Sequence, residues 1–184
     1  SNGCSCSWPR TNGGQFGKLT ISLKRGYRTV RSQTALENVM YGKSRYTTLP
    51  VLYNGGFVQA SLIDRARSVT GRFFLSMVPD VYSAIVFAFL TDEYIYSDAP
   101  LAINGASHHS GGTAMFEAAK KNRHYCPIEK FLSEDNIPFH KDVPLLAGGR
   151  PVRSIPAVVY ESFLQATPFH TQKELNVSPE QQLC

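Results

Sequence analysis

The sequence lacks the features that identify several large classes of protein. Its 184 residues include four cysteines and no C-x-x-C pair; Cys4 and Cys6 stand close together, but a metal site there would need two more converging ligands. The longest apolar run covers residues 84–90, about a third of the roughly 20 residues that a membrane-spanning helix needs. The N-terminus is polar and has no apolar centre of the kind that signal peptides carry. We therefore expect reduced thiols, no transmembrane segment and a cytoplasmic location.

Several catalytic motifs are also missing. The sequence contains no G-x-x-x-x-G-K-[ST], no G-x-G-x-x-G and no G-x-S-x-G, which disfavours P-loop enzymes, dinucleotide-dependent dehydrogenases and serine hydrolases. The net charge of +5 favours anionic partners such as nucleotide diphosphates, acidic lipid headgroups or nucleic acid. Because no RNA-reading aromatic motif or zinc-finger spacing accompanies that charge, a nucleic-acid partner is not expected.

The pattern of apolar residues predicts a layered α/β or α+β domain. Helical periodicity or helix signals occur at residues 34–41, 61–70, 79–90, 114–121, 127–134 and 156–166, and a Ser61–Asp64 pair resembles a capping box. Strand-like segments occur at residues 19–23, 49–53, 72–75, 94–97 and 101–103. We expect a flexible N-terminal segment at 1–17, one domain at 18–168 and a disordered tail at 169–184.

Two polar stretches could carry chemistry. Residues 78–83 read VPDVYS, which places Asp80 in the first turn of a strongly apolar helix. Such an acid either stabilises the helix by about 0.3–1 kcal/mol through its interaction with the helix dipole, or serves as a general base at the floor of a cleft. Residues 103–112 read INGASHHSGG, and a neutral imidazole of His108 or His109 could bind a phosphate oxygen or complete a divalent-metal site. The residues alone leave these alternatives open.

The order and spacing of five segments resemble a known family. The segments are 49–57 (LPVLYNGGF), 70–74 (TGRFF), 79–83 (PDVYS), 103–110 (INGASHHS) and 160–162 (YES). Over about residues 45–165 the chain is similar to the C-terminal half of bacterial family 2 glycosyltransferases, which have the GT-A fold. The resemblance implies a mixed sheet with flanking helices, an incomplete Rossmann-like fold. It also implies part of an inverting enzyme that moves a sugar from a nucleotide-sugar donor to the hydroxyl of a carbohydrate acceptor.

The same resemblance implies roles for individual residues. Asp80 matches the general base, although the family usually has Glu-Asp where this chain has Pro79-Asp80. The residues expected at the donor diphosphate are His108, His109 and Ser110, with His109 also a metal ligand, and those expected at the acceptor are Asn54, Gly55, Gly56 and Tyr82.

The family's metal motif has no counterpart in this chain. Family members hold Mg²⁺ or Mn²⁺ mainly through an Asp-x-Asp motif in their first half, and no Asp-x-Asp occurs here. The resemblance therefore implies a truncated, acceptor-side fragment that can lack the metal when it is alone, binds nucleotide sugar poorly and does not turn over.

Two other functions fit the same residues. One is a non-catalytic carbohydrate-binding or interaction module on the same fold. The other is a metal-dependent hydrolase built on Asp80, His108 and His109, which predicts a stoichiometric bound metal. An apolar face left exposed by the missing half of the fold could also support a homo-oligomer.

Overall fold

The computed structural model describes residues 4–7, 19–53, 55–106, 137–146, 150–151, 154–173 and 175. In chain order the elements are β1 (Cys4–Ser7), β2 (Leu19–Thr20), β3 (Tyr27–Arg31), α1 (Ser32–Met40), a 3₁₀ helix (Tyr46–Thr48), α2 (Ala60–Thr70), α3 (Pro79–Leu90), β4 (Glu93–Ser97), β5 (Ile103–Ala106), β6 (Leu145–Leu146), β7 (Arg150–Pro151), α4 (Ile155–Gln165) and a second 3₁₀ helix (Thr167–Gln172). The expected mixture of α and β structure is confirmed. The helices predicted at 114–121 and 127–134 lie outside the described residues.

The chain divides into two compact units. The first comprises mainly residues 27–96 and 137–184, and the second comprises residues 2–26 and 97–136. In the second unit β2, β1 and β5 form a three-stranded sheet in that order. Strand β1 runs antiparallel to β2 and parallel to β5, with Ser5 opposite both Thr20 and Asn104.

Helix α3 is the centre of the first unit. Proline at its first position costs no hydrogen bond, because the first N–H groups of a helix have no partner within it. Residues 81–90 are all buried, and a helix that is apolar all round needs cover on every side. Helices α1, α2 and α4 and both 3₁₀ helices supply that cover. Strands β3 and β4 pair with each other, and β6 and β7 form a small antiparallel pair.

Helices α1 and α2 lie close to their predicted positions but begin differently. Helix α1 begins at Ser32, whose hydroxyl lies 3.1 Å from Thr91 Oγ1 instead of capping its own helix. The capping box predicted for Ser61 and Asp64 is wrong, since α2 begins at Ala60 and no side chain caps it. The predicted helix end at residue 70 is confirmed, and Gly71 after it adopts the left-handed conformation that glycine tolerates.

The strands predicted at 49–53 and 72–75 do not form. In the first segment the chain folds back on itself: a Cβ on Gly56 would lie 1.6 Å from the Val51 carbonyl oxygen. Glycine is therefore required where these two backbones meet. In the second segment Phe73 packs its ring on Phe87 of α3, with the ring centroids 5.5 Å apart. Both apolar segments cover α3 as irregular backbone.

The C-terminal part of the first unit is ordered further than predicted. Helix α4 matches the expected helix at 156–166 within one residue, and Ser154 Oγ caps it by accepting the Ala157 N–H at 3.2 Å. The tail predicted to be disordered from residue 169 instead begins within a 3₁₀ helix, in which Phe169 is fully buried. Burial of the Phe169 ring explains why this part of the tail is ordered, because it stabilises a segment whose other residues are mostly polar. In the described part of the chain, no helix is long and apolar enough to cross a membrane.

Candidate functional site

Asp80 lies in the first turn of α3 and is half-buried. Its carboxylate Oδ2 accepts a hydrogen bond of 3.2 Å from the hydroxyl of Tyr46 in the first 3₁₀ helix. The positive end of the α3 dipole also favours a negative charge at this position. No other side chain among the described residues hydrogen-bonds to the carboxylate. One carboxylate oxygen is thus held in place, and the other receives no hydrogen bond from the described residues.

Tyr46 is a constant hydrogen-bond donor to Asp80. Burial of the phenol, followed by the negative charge of Asp80 and the hydrogen bond to it, raises the pKa of Tyr46 to about 12. A smaller contribution comes from Tyr53. The phenol therefore keeps its proton near neutral pH and continues to donate to Oδ2. No local pattern indicates this contact, because Tyr46 and Asp80 are 34 residues apart.

The backbone before Asp80 is tied to helix α4. Val78, the residue that precedes the helix, donates its N–H to Ser76 Oγ at 3.2 Å. The Ser76 hydroxyl in turn donates to Glu161 Oε2 at 2.5 Å. The sequence alone indicates no role for the Ser76 or the Glu161 side chain. The one available signal was an acidic residue on the apolar face of α4, close to Val158 and Val159.

Tyr82, predicted to contact the acceptor, is fully buried. Its hydroxyl has no hydrogen-bond partner among the described residues. Burial raises the pKa of Tyr82, and the positive charge of Arg72 partly opposes that shift. The hydroxyl does not reach the surface in this conformation, and its role at the acceptor stays a prediction.

The other predicted site residues divide into two groups. Gly55 has a positive φ of 87°, and Gly56 meets the Val51 carbonyl, so local backbone geometry accounts for both glycines. Their place at the acceptor stays a prediction. Four further predicted residues lie outside the described part of the chain: Asn54, His108, His109 and Ser110.

Two surface clefts among the described residues of the first unit lie apart from Asp80. A groove of about 150 Å³ is mostly apolar, and Phe57 on its rim is 85% exposed. A wider polar cleft of about 420 Å³ lies where α1 begins and α3 ends. The polar cleft is lined by Arg31, Gln33, Thr34, Glu37, Asp92, Glu93 and Lys173. Neither cleft is lined by Asp80, so neither extends the candidate site.

The described residues do not form a metal site. Among them, no group of three or more His, Cys, Asp or Glu side chains converges as metal binding would require. The proposed ligand His109 lies outside the described residues. The Mg²⁺ or Mn²⁺ implied by the resemblance therefore has no assigned ligand here, and no chemical step below passes through it.

Comparisons with protein-family models, with curated proteins and with solved structures find no match for this chain. The candidate site is accordingly defined by its geometry: a carboxylate at the head of a buried helix, held by a protonated phenol.

Proposed function

We propose that this chain supplies the acceptor-side chemistry of an inverting glycosyltransferase, with Asp80 as the general base. One observation carries the proposal. The Asp80 carboxylate is half-buried at the head of α3, with Oδ2 fixed by Tyr46 and Oδ1 without a hydrogen bond from the described residues. The mixed α/β character of the chain is compatible with half of a GT-A fold, and the sequence resemblance over residues 45–165 adds support.

In the proposed reaction the Asp80 carboxylate acts on the acceptor hydroxyl. Asp80 Oδ1 takes the proton of the acceptor hydroxyl while the acceptor oxygen attacks the anomeric carbon of the donor sugar. The bond from that carbon to the diphosphate breaks, and the nucleoside diphosphate leaves with the electron pair. Configuration inverts because attack and departure occur on opposite faces. A divalent cation, when bound, would neutralise the leaving diphosphate, and the described residues do not hold one.

Tyr46 has a positioning role in this proposal. Its hydroxyl holds Oδ2, which restricts the carboxylate to one orientation. Fixing a catalytic group in a reactive orientation contributes to the rate, because that ordering need not be achieved during the reaction. Loss of the hydroxyl in Tyr46→Phe should therefore reduce turnover without abolishing it.

Acceptor-dependent release of nucleoside diphosphate tests the proposed reaction. The assay uses the product of the complete open reading frame that contains this chain, with Mn²⁺, a panel of nucleotide sugars and a panel of oligosaccharides. We expect release that requires both a donor and an acceptor, with a product of inverted anomeric configuration by NMR. If no donor–acceptor pair supports release or transfer above a no-enzyme control, the proposed reaction is wrong.

A carbohydrate-binding module without catalysis is the second candidate, and exposed aromatic side chains favour it. Tyr53 is 61% exposed and Phe57 is 85% exposed, and such rings provide flat apolar surfaces for a ligand. This candidate predicts oligosaccharide binding that Tyr53→Ala or Phe57→Ala weakens and Asp80→Asn leaves unchanged. Calorimetric titration of the chain with the same oligosaccharides measures that binding. Binding without any transfer would favour this candidate over the enzyme.

A further inference from the structure

Glu161 is a buried carboxylate whose hydrogen-bond partners among the described residues are neutral. Its side chain is 1% exposed, Ser76 Oγ donates to Oε2 at 2.5 Å, and Gln165 Nε2 donates to Oε1 at 2.9 Å. Gln165 also donates to the Pro138 carbonyl at 3.0 Å, which fixes it from the other side. No Lys, Arg or His side chain among the described residues forms an ion pair with Glu161.

This arrangement is unfavourable for stability alone. Removing a carboxylate from water without a cation is costly, and replacing buried charged groups by well-packed apolar side chains of similar volume is often neutral or stabilising. Buried polar groups of this kind can instead fix one geometry among several.

Hydrogen bonds connect Glu161 through Ser76 to the start of α3. No side chain caps the helix at Val78, and the Val78 N–H is bound by Ser76 Oγ at 3.2 Å. The Ser76 hydroxyl has a single proton, which it donates to Glu161, so its lone pairs face the Val78 N–H. Ser76 is itself 1% exposed and lies 3.4 Å from the fully buried Ser162 hydroxyl. Its position is therefore set by α4.

We infer that Glu161 is a positioning residue that, through Ser76, holds the first turn of α3 so that Asp80 reaches Tyr46. Asp80 lies two residues after Val78, and its own backbone carbonyl accepts a hydrogen bond from Ser83 at 3.1 Å. A shift of the Val78 backbone moves the Asp80 carboxylate with it. The importance of this for catalysis rests on the function proposed above, whereas the positioning itself does not.

Three variants separate positioning from general stability. Glu161→Leu removes both acceptor oxygens and leaves the Ser76 hydroxyl without its acceptor. Glu161→Gln keeps one carbonyl oxygen for Ser76. Val158→Ala lies in the same helix and opens a cavity in the core while leaving the Glu161 and Ser76 side chains in place, so it is the matched control for lost stability. Crystal structures and transfer kinetics of the complete gene product are compared for all three.

We expect Glu161→Leu to break the 3.2 Å contact between Tyr46 and Asp80 and to lower kcat by about 100-fold, because misplacement of about 1 Å can cost that much. The KM for the acceptor should change little. Glu161→Gln should restore the contact and most of the rate, and Val158→Ala should retain both. If Glu161→Leu does not fold, Ser76→Ala removes the same link and is expected to give the same displacement.

Failure of this inference is distinguishable from failure of the proposed function. A Glu161→Leu or Ser76→Ala structure in which Tyr46 still contacts Asp80 overturns the positioning role, whatever the kinetics. A displaced Asp80 supports the positioning role even if no transfer is detected in any variant. In that second case the proposed reaction, and not the link from Glu161 to α3, is wrong.

Discussion

Lys173→Met should destabilise the first unit by removing the cation that caps the C-terminal end of α3. The Lys173 ammonium donates to the Ala88 carbonyl at 2.9 Å and to the Thr91 carbonyl, and it lies 3.8 Å from the Asp92 carboxylate. The lysine side chain is only 10% exposed. Its burial lowers the pKa of Lys173, and the charge of Asp92 partly opposes that shift.

The expected loss is about 2 kcal/mol. A hydrogen bond to a charged group contributes about 1.5–3 kcal/mol, and a cation at a helix C-terminus adds about 0.3–1 kcal/mol. The cost of desolvating the ammonium reduces that sum. Methionine keeps most of the apolar stem, so the change is mainly electrostatic. A loss of about 2 kcal/mol lowers the Tm by about 4–8 °C for a chain of this size.

Urea unfolding followed by circular dichroism measures this loss. Lys141→Met is the matched control, because Lys141 is exposed and has no described contact with α3. Its free energy of unfolding should stay within about 0.5 kcal/mol of the wild-type value. An equally small change in Lys173→Met would refute the capping role and the docked position of residues 167–173.

Two further substitutions test the fold. Burial lowers the pKa of His170 below its ordinary value of about 6.5, although its hydrogen bond to a backbone carbonyl opposes the shift. The unfolded state therefore binds this proton more readily than the folded state does. The stability that the neutral imidazole contributes is present above about pH 6.5 and is lost as the pH falls below that value. His170→Gln should therefore flatten the fall in stability between about pH 7 and pH 5, measured by urea unfolding at each pH. A slope equal to that of the wild-type protein would rule this out. Gly56→Ala should cost more than about 3 kcal/mol, because its Cβ would lie 1.6 Å from the Val51 carbonyl oxygen. Gly42→Ala, at a positive φ of 68° in open space, should cost only about 1–2 kcal/mol, and similar thermal melts for the two variants would contradict the close approach at Gly56.

The sequence predicted those parts of the fold that local signals determine. Pro79 and the apolar residues after it located α3 at both ends, and Gly71 ended α2 where expected. Short segments were less predictable, because a strand and an irregular apolar segment that covers a helix have similar compositions over five residues. Residues 49–53 and 72–75 are irregular apolar segments that cover α3. The length of β3 and its pairing with β4 likewise depend on distant residues.

In the candidate site, too, the sequence indicates the feature that a local signal marks and not the contacts between distant residues. Asp80 could be found from the sequence because it stands at a recognisable helix start. Its partner Tyr46 and the link from Ser76 to Glu161 could not, since they join residues that are 34 and 85 positions apart. Lys173 acts across 82 positions at the other end of the same helix. Such contacts leave no local pattern in the sequence.

The central claim is that Asp80 is a base and not only a favourable charge at a helix start. The direct measurement is kcat for Asp80→Asn in the complete gene product, together with its free energy of unfolding. Asparagine still accepts the Tyr46 hydrogen bond but cannot take a proton, so kcat should fall by about 10²–10⁴-fold while stability falls by about 1 kcal/mol or less. Asp64→Asn, at an exposed acid of α2 that pairs with Arg67, should leave kcat unchanged. A kcat for Asp80→Asn within about threefold of the wild-type value, too small a loss for a general base, would contradict the claim and leave Asp80 as a stabiliser of α3.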